Sequence, residues 1–182
     1  MKLYSTSAAR NKGVIADAFT RLLPSAARVL ELASGTGEHA EAILEARPHL
    51  RWQASDPDED ARISASSRMD ERGQAPAKSL DTRMDGWWQD IREPIDTVVA
   101  INMIHITSGA GVEGLFRGAG ALLSAGGHLF LYGPMKRRGR TEKSNQRFDQ
   151  SLKLRRCRRL TGSTPVRSLM RPISAFRQTP AP

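Results

Sequence analysis

The sequence has a single cysteine and no long apolar run, and each shortage excludes a class of protein. Its one cysteine, Cys157, rules out an internal disulfide and leaves no cysteine cluster for a metal ion. No stretch is apolar enough over a sufficient length to span a bilayer, and residues 1–7 lack the apolar core of a signal peptide. We therefore expect a soluble, cytoplasmic protein.

Acidic residues are absent from the end of the chain, where eight basic residues follow position 150. The formal net charge of +9 therefore falls to +1 for residues 1–150. We expect a folded domain at residues 1–152 and a basic, disordered tail at 153–182, because the tail is rich in proline and lacks an apolar period. A nucleic-acid partner is expected only through this tail, which has one aromatic residue, Phe176, for base stacking.

An apolar strand, a glycine turn and an amphipathic helix organise the rest of the sequence. Residues 28–32 predict a buried strand, and apolar side chains recur at helical spacing over residues 38–46. Between them, Gly35 and Gly37 allow a sharp turn and the close approach of a ligand. This combination is typical of a nucleotide-type cofactor site at the carboxyl end of a parallel strand.

Glu31 indicates which cofactor this turn would hold. A dinucleotide places its pyrophosphate on such a turn, and a carboxylate at the same strand end would repel it. S-adenosylmethionine has no phosphate and carries a cationic ammonium and a sulfonium, which a carboxylate attracts. The glycines alone also fit the dinucleotide pattern, so a nicotinamide-dependent oxidoreductase remains an alternative.

Five stretches of the sequence together resemble one protein family. They are residues 10–12 (RNK), 31–39 (ELASGTGEH), 55–58 (SDPD), 101–106 (INMIHI) and 131–134 (LYGP). The second stretch resembles the first motif of class I S-adenosylmethionine-dependent methyltransferases. The whole set resembles the methyltransferase-like 26 group, a domain of unknown function, over roughly residues 5–152.

This resemblance implies an α/β, Rossmann-like core with a mainly parallel sheet in strand order 3-2-1-4-5. It implies S-adenosylmethionine as cofactor and a leading helix over the pocket, with Arg10 and Asn11 near its mouth. The residues that it assigns to the methionine part of the cofactor are Glu31, Ala33, Gly35 and Gly37.

Two aspartates are candidates for the nucleoside part of the cofactor. Asp56 follows the predicted second strand, 19 residues after Gly37, close to the spacing at which an acidic residue reaches ribose hydroxyls. Asp81 follows a short predicted third strand at residues 77–80, and the resemblance places it near the adenine; the other interpretation is a turn residue. The acidic run at residues 58–60 is assigned to a helix amino end, so no metal site is predicted.

The candidates for catalysis follow the predicted fourth and fifth strands. Asn102 lies at the end of the fourth strand and is predicted to contact the cofactor or orient a nucleophile. His105 is a candidate general base, although a packed histidine between two isoleucines is the alternative. Tyr132 ends the fifth strand, with its hydroxyl facing either the substrate or a buried carbonyl.

The resemblance fails after Leu152, where the family continues with a helix and two more strands. We therefore expect the last two strands to be missing and the strand at 128–132 to be an exposed edge. A shifted reading frame is one hypothesis, which comparison with the other frames of the coding DNA would test. A functional basic arm for RNA or DNA is the rival.

The sequence thus predicts methyl transfer from S-adenosylmethionine to a small-molecule or otherwise unknown substrate, with activity weakened or lost by the atypical end. The alternatives are a nicotinamide-dependent oxidoreductase and a non-enzymatic, basic nucleic-acid-binding protein.

Overall fold

Helices and strands alternate along the chain, as in other α/β folds. The computed structural model describes residues 1–133 and the backbone of residues 153–156. In chain order the elements are α1 (Thr6–Leu22), β1 (Arg28–Leu32), α2 (Glu38–Ala46), β2 (Arg51–Ser55), α3 (Glu59–Asp70), a 3-10 helix (Trp87–Asp90), β3 (Ile95–Ile101), α4 (Gly109–Leu122), β4 (Leu123–Tyr132) and β5 (Lys153–Arg156).

The strands form one sheet in the order β2-β1-β3-β4-β5. The first four are parallel, and β5 is antiparallel to β4. Because β2 lies on one side of β1 and β3 on the other, the connections leave β1 in opposite directions. Such a switch point opens a crevice at the carboxyl ends of the two central strands. The predicted α/β fold with a mainly parallel sheet is confirmed.

The predicted third strand at residues 77–80 is reduced to a single bridge. Lys78 pairs in parallel with Ser55, its N–H donates to the Ala54 carbonyl at 2.9 Å, and its own carbonyl accepts from Asp56 N at 3.0 Å. Pro76, just before this segment, has no N–H to extend the ladder. The segment therefore lies where the order 3-2-1-4-5 places it but is too short to count as a strand.

The expectation of a bare edge after β4 needs correction. β5 pairs with β4 over four residues, from His128 opposite Arg156 to Leu131 opposite Lys153. The sequence analysis missed this strand because three of its four residues are basic, which is not an apolar strand pattern. The proposed disorder of the rest of the tail lies outside the described residues.

The two faces of the sheet are buried by different helices. On one face Phe19 of α1 packs against Phe130, with ring centroids 5.4 Å apart, and against Trp52 at 5.7 Å. On the other face, α4 and the 3-10 helix contribute Leu115 and Trp87 to a second apolar cluster. Alternate residues of β1 therefore point to opposite faces, which places Glu31 on the α1 face with Val29 and Trp52.

Helix α4 lies close to the 3-10 helix because glycines face it. Trp87 Nε1 donates to the Gly114 carbonyl at 3.0 Å. A Cβ atom on Gly118 would lie 2.0 Å from a carbon of the Trp87 ring. Nothing larger than glycine fits at position 118 without moving a buried indole.

None of the helices in the described part of the chain is both long and apolar enough to cross a membrane.

Candidate functional site

In the described part of the chain, two non-glycine residues adopt left-handed backbone angles, and they directly follow the two central strands. Ala33, after β1, has φ of 54°, and Asn102, after β3, has φ of 58°. For an alanine this conformation costs on the order of 1–2 kcal/mol. Strain of this kind persists where the surroundings over-determine it, and it clusters at ligand sites. The sequence analysis gave both as candidate site residues, and both lie at the carboxyl ends of the two central strands, where the crevice opens.

Glu31 is buried at the same edge, with 1% of its surface exposed. Trp52 Nε1 donates to Glu31 Oε2 at 3.2 Å. Burial raises the pKa of Glu31 to about 7, hydrogen bonds from Ser34 and Trp52 oppose the rise, and the nearby charge of Asp56 adds to it. The carboxyl group is therefore balanced between its neutral and charged forms near neutral pH, and a cation in contact with it would favour the charged form.

Asp56 holds the glycine turn against the end of β2. Its Oδ2 accepts from Gly35 N at 2.9 Å, and its Oδ1 accepts from Asp58 N at 2.9 Å. Each carboxylate oxygen keeps a further lone pair for a ligand hydroxyl. The helix cap that follows is Asp58, which accepts from Ala61 N. Asp58 rather than Asp56 therefore caps α3, and the site brings Asp56 together with Gly35 and Glu31.

The two glycines of the turn have different roles. Gly35 has φ of 55°, and a Cβ atom there would meet nothing within 4 Å. Gly37 has φ of 83°, and its Cβ would lie 2.8 Å from the Ala65 Cα of α3. Gly35 thus borders open space that a ligand can enter, whereas Gly37 lets α2 and α3 approach each other. The sequence analysis had assigned both glycines to the ligand.

These roles predict different effects of two alanine variants, one mainly on stability and the other mainly on the space for a ligand. Gly37→Ala should cost about 3 kcal/mol of unfolding free energy, because left-handed strain adds to overpacking against α3. Gly35→Ala should cost only about 1 kcal/mol, from strain alone, but should block the space beside the turn. Urea unfolding of both variants measures the difference. Equal loss of stability would contradict the assignment.

Unlike Asp56, Asp81 does not have its carboxylate available to a ligand, because both of its oxygens accept hydrogen bonds from Arg83. Arg83 Nε donates to Asp81 Oδ1 at 2.9 Å, and Arg83 Nη2 donates to Asp81 Oδ2 at 2.6 Å. The side-chain hydrogen bond from Arg83 lowers the pKa of Asp81. The Asp81 carbonyl also accepts from Met84 N at 3.0 Å. This geometry is that of the turn residue, the alternative given above, and a role at the adenine would require the arginine to move aside.

Asn102 and His105 meet at Gly133, the residue after β4. A Cβ on Gly133 would lie 3.5 Å from His105 Nδ1 and 3.6 Å from Asn102 Oδ1. Asn102 N also donates to the Tyr132 carbonyl at 2.7 Å. His105 is exposed, so it is not the packed histidine of the alternative interpretation. The resemblance also implies that the loop after residue 133, which is rich in basic residues, folds over the site; this loop lies outside the described residues.

The sequence analysis gave no role to His39, the second residue of α2. His39 Nε2 lies 3.0 Å from Asn11 Oδ1 of α1. Burial lowers the pKa of His39 to about 4, so the ring is neutral near pH 7. The signal in the sequence was the position of His39 next to Ala40, which begins the apolar face of α2; this position could have indicated a partly buried histidine. Glu38, also buried, accepts from Ser5 N at 2.7 Å and so ties α1 to the glycine turn.

No group of three or more histidine, cysteine, aspartate or glutamate side chains in the described residues could hold a metal ion. A cavity of about 350 Å³ lies at the opposite, amino edge of the sheet, lined by residues that include Arg28, Asp96 and His128. It contains none of the predicted site residues. The strained residues, the buried carboxyl group and the glycine turn are all at the carboxyl edge, and we place the candidate site there.

Several solved structures that resemble this chain in fold are methyltransferases. The methyltransferase SibL in its apo form matches at a TM-score of 0.58 and 23% identity, over 74% of this chain and 38% of that chain. The glycopeptide N-methyltransferase MtfA, complexed with S-adenosylmethionine, matches at 0.59 and 20%, over 81% and 66%. An O-methyltransferase family protein from Burkholderia thailandensis matches at 0.52 and 19%, over 75% and 45%.

These neighbours define the class of fold, which is that of class I S-adenosylmethionine-dependent methyltransferases. The chain spans less than half the length of several of the solved structures that it matches. A family model described as "Protein of unknown function (DUF938)" matches residues 2–162, and the chain belongs to this family. The match runs past residue 152, where the sequence resemblance ended.

Proposed function

We propose that this chain binds S-adenosylmethionine at the carboxyl edge of β1 and β3 and transfers its methyl group to a small-molecule acceptor. One observation supports this most strongly. Glu31, a buried carboxyl group with a pKa of about 7, lies at the end of the strand before the glycine turn. A cationic ligand suits this position, and the phosphates of a dinucleotide do not.

The residues present fit the cofactor part by part. Glu31 would face the ammonium of the methionine part, and Gly35 leaves the space beside the turn open. Asp56 has lone pairs left for the ribose hydroxyls after accepting two backbone N–H groups. When bound, the cofactor supplies a methyl group already activated by its sulfonium. The task left to the protein is therefore to orient the acceptor.

The other half of the edge is proposed to hold the acceptor. Asn102 and His105 follow β3 and lie together beside Gly133, the residue after β4. His105 is exposed, so it can exchange protons with solvent, as a general base for the acceptor must. Asn102 is proposed to orient the acceptor or the cofactor. Within the DUF938 family, the motifs favour the methyltransferase-like 26 group.

The end of the chain is proposed to depart from the rest of that group because of a shifted reading frame after Leu152. The loss of resemblance to that group after Leu152 supports this hypothesis, whereas the match of the family model extends to residue 162. A second frame of the coding DNA that restores family-like sequence is the expected result. Its absence would leave the basic arm as the explanation of the tail.

Calorimetric titration with S-adenosylhomocysteine tests the proposed cofactor. We expect an affinity on the order of micromolar, with no binding of a nicotinamide dinucleotide at the same concentration. Binding of the dinucleotide alone would support the oxidoreductase instead. A folded protein that binds neither would overturn the proposal.

Binding should also depend on pH, because Glu31 must lose its proton to face a cation. With a pKa of about 7, the carboxyl group is mostly neutral at pH 6 and mostly charged at pH 8. Affinity for S-adenosylhomocysteine should therefore be roughly tenfold higher at pH 8 than at pH 6. Proton release, measured in two buffers of different ionisation enthalpy, checks the cause. An affinity that does not change with pH would show that Glu31 does not contact the ammonium.

A further inference from the structure

The hydroxyl group of Tyr132 is buried without a hydrogen-bond partner. Tyr132 is 4% exposed and belongs to the apolar cluster on the α1 face, and no atom in the described residues forms a hydrogen bond with its hydroxyl. An unsatisfied buried hydroxyl costs on the order of 1–3 kcal/mol. Such a group calls for an explanation, and a ligand that supplies the missing partner is one.

Neighbouring side chains define which partner is missing. Asn11 Oδ1 can only accept, so His39 Nε2, 3.0 Å away, must be the donor. The low pKa of His39 is consistent with this neutral ring. Asn11 Oδ1 keeps a second lone pair, but neither it nor the amide N–H groups of Asn11 form a hydrogen bond with the Tyr132 hydroxyl. This amide opposes the rise that burial causes in the pKa of Tyr132, although it lies outside hydrogen-bond geometry. Among the residues that the structure describes, the phenol proton is therefore left without an acceptor.

The position of this proton separates it from the cofactor half of the edge. Tyr132 ends β4, and its carbonyl accepts from Asn102 N. Asn102 is one of the residues proposed above to face the methyl acceptor, whereas Glu31 lies on β1 and Asp56 directly follows β2. β3 lies between β1 and β4, so Tyr132 is two strands away from Glu31.

We propose that the Tyr132 hydroxyl donates a hydrogen bond to the methyl acceptor, which therefore carries a carbonyl or carboxylate oxygen beside its nucleophile. Asn11 and His39 are positioning residues that keep the phenol proton directed at that oxygen. This inference rests on the proposed function, because it uses the same edge of the sheet, but it concerns the acceptor rather than the cofactor.

The chain has only two tyrosines, which makes the hydroxyl observable. In protein labelled with ¹³C at tyrosine Cζ, one resonance belongs to Tyr132 and the other to Tyr4, which is exposed. The Tyr132→Phe and Tyr4→Phe variants assign them. Acetate and acetamide, the probes for carboxylate and carbonyl oxygen, are titrated at constant ionic strength, with and without S-adenosylhomocysteine.

We expect S-adenosylhomocysteine alone to leave the Tyr132 resonance in place and acetate to move it saturably, with the Tyr4 resonance unchanged. A response to acetamide as well assigns a carbonyl-type oxygen, and a response to acetate alone assigns a carboxylate. A shift caused by S-adenosylhomocysteine alone would give the hydroxyl to the cofactor and overturn the proposal. So would the absence of any response to both probes.

The positioning role has its own readout. Asn11→Ala should shift the Tyr132 resonance in the free protein and weaken acetate binding by up to roughly tenfold, the worth of one hydrogen bond. If S-adenosylhomocysteine does not bind the parent chain, the proposed function fails, while acetate titration of the free protein still decides this inference.

Discussion

Glu31→Gln is expected to weaken S-adenosylhomocysteine binding roughly 100-fold at pH 8, because removal of one partner of a buried charge pair costs several kcal/mol. Glutamine has nearly the same shape, and its carbonyl can still accept from Trp52 Nε1, as Glu31 Oε2 does at 3.2 Å. The loss would therefore report the charge rather than the packing. Calorimetric titration measures it.

The same substitution should stabilise the ligand-free protein. Between pH 4.5, the ordinary value, and about 7, the folded state keeps a proton on Glu31 that the unfolded chain has lost. Stability therefore falls as the pH rises through this window. Glutamine has no such penalty, so its advantage should grow from near zero below pH 4.5 to about 3 kcal/mol above pH 7. Urea unfolding at several pH values measures this gain.

An increase in stability with a loss of binding is the result that assigns Glu31 to a ligand. A loss of both would mean that the carboxyl group serves the fold. Unchanged binding would mean that the ammonium lies elsewhere. As a matched control, Glu45→Gln removes an exposed carboxylate that pairs with Arg72, and both quantities should stay nearly unchanged.

Gly118→Ala is the second large expected effect, and it acts on the other face of the sheet. The new methyl group would lie 2.0 Å from the Trp87 ring, and that indole is buried and held by its hydrogen bond to the Gly114 carbonyl. Overpacking of this kind should exceed the helix preference for alanine, with a net loss of roughly 2 kcal/mol.

Gly120 is the matched control, two residues along the same helix. A Cβ at Gly120 would meet nothing within 4 Å, so Gly120→Ala should stabilise the protein by up to about 1 kcal/mol. The two variants should thus differ by about 3 kcal/mol in urea unfolding, with opposite signs. Equal stabilities would show that Trp87 does not pack against α4.

Local patterns in the sequence were enough to predict the unit from β1 to α2. The apolar strand, the two glycines and Pro48 after the helix lie within about twenty residues, and the predicted bounds of residues 28–32 and 38–46 are those of β1 and α2. Asp56 was found for the same reason, because its spacing from the glycine turn is set by one helix and one strand.

Features that depend on distant partners could not be predicted in this way. The chain between Asn11 and His39 spans 28 positions, and neither residue's burial is visible in its own neighbourhood. Asp81 was assigned to the ligand because the guanidinium of Arg83 was not weighed as a competitor. β5 was missed because three of its four residues are basic and gave no apolar strand pattern, whereas its pairing with β4 is made by the backbone.

The cavity of about 350 Å³ at the amino edge affects how a search for ligands of this chain should be designed. Virtual screening that begins from this cavity would place compounds beside Arg28 and His128, at the far end of the strands from Glu31 and Asp56. Chemical libraries chosen for charge and hydrogen-bonding pattern, with nucleoside-like scaffolds that carry a cationic amine, are better matched to the carboxyl edge. Competition with S-adenosylhomocysteine would then separate useful compounds from those held at the wrong end.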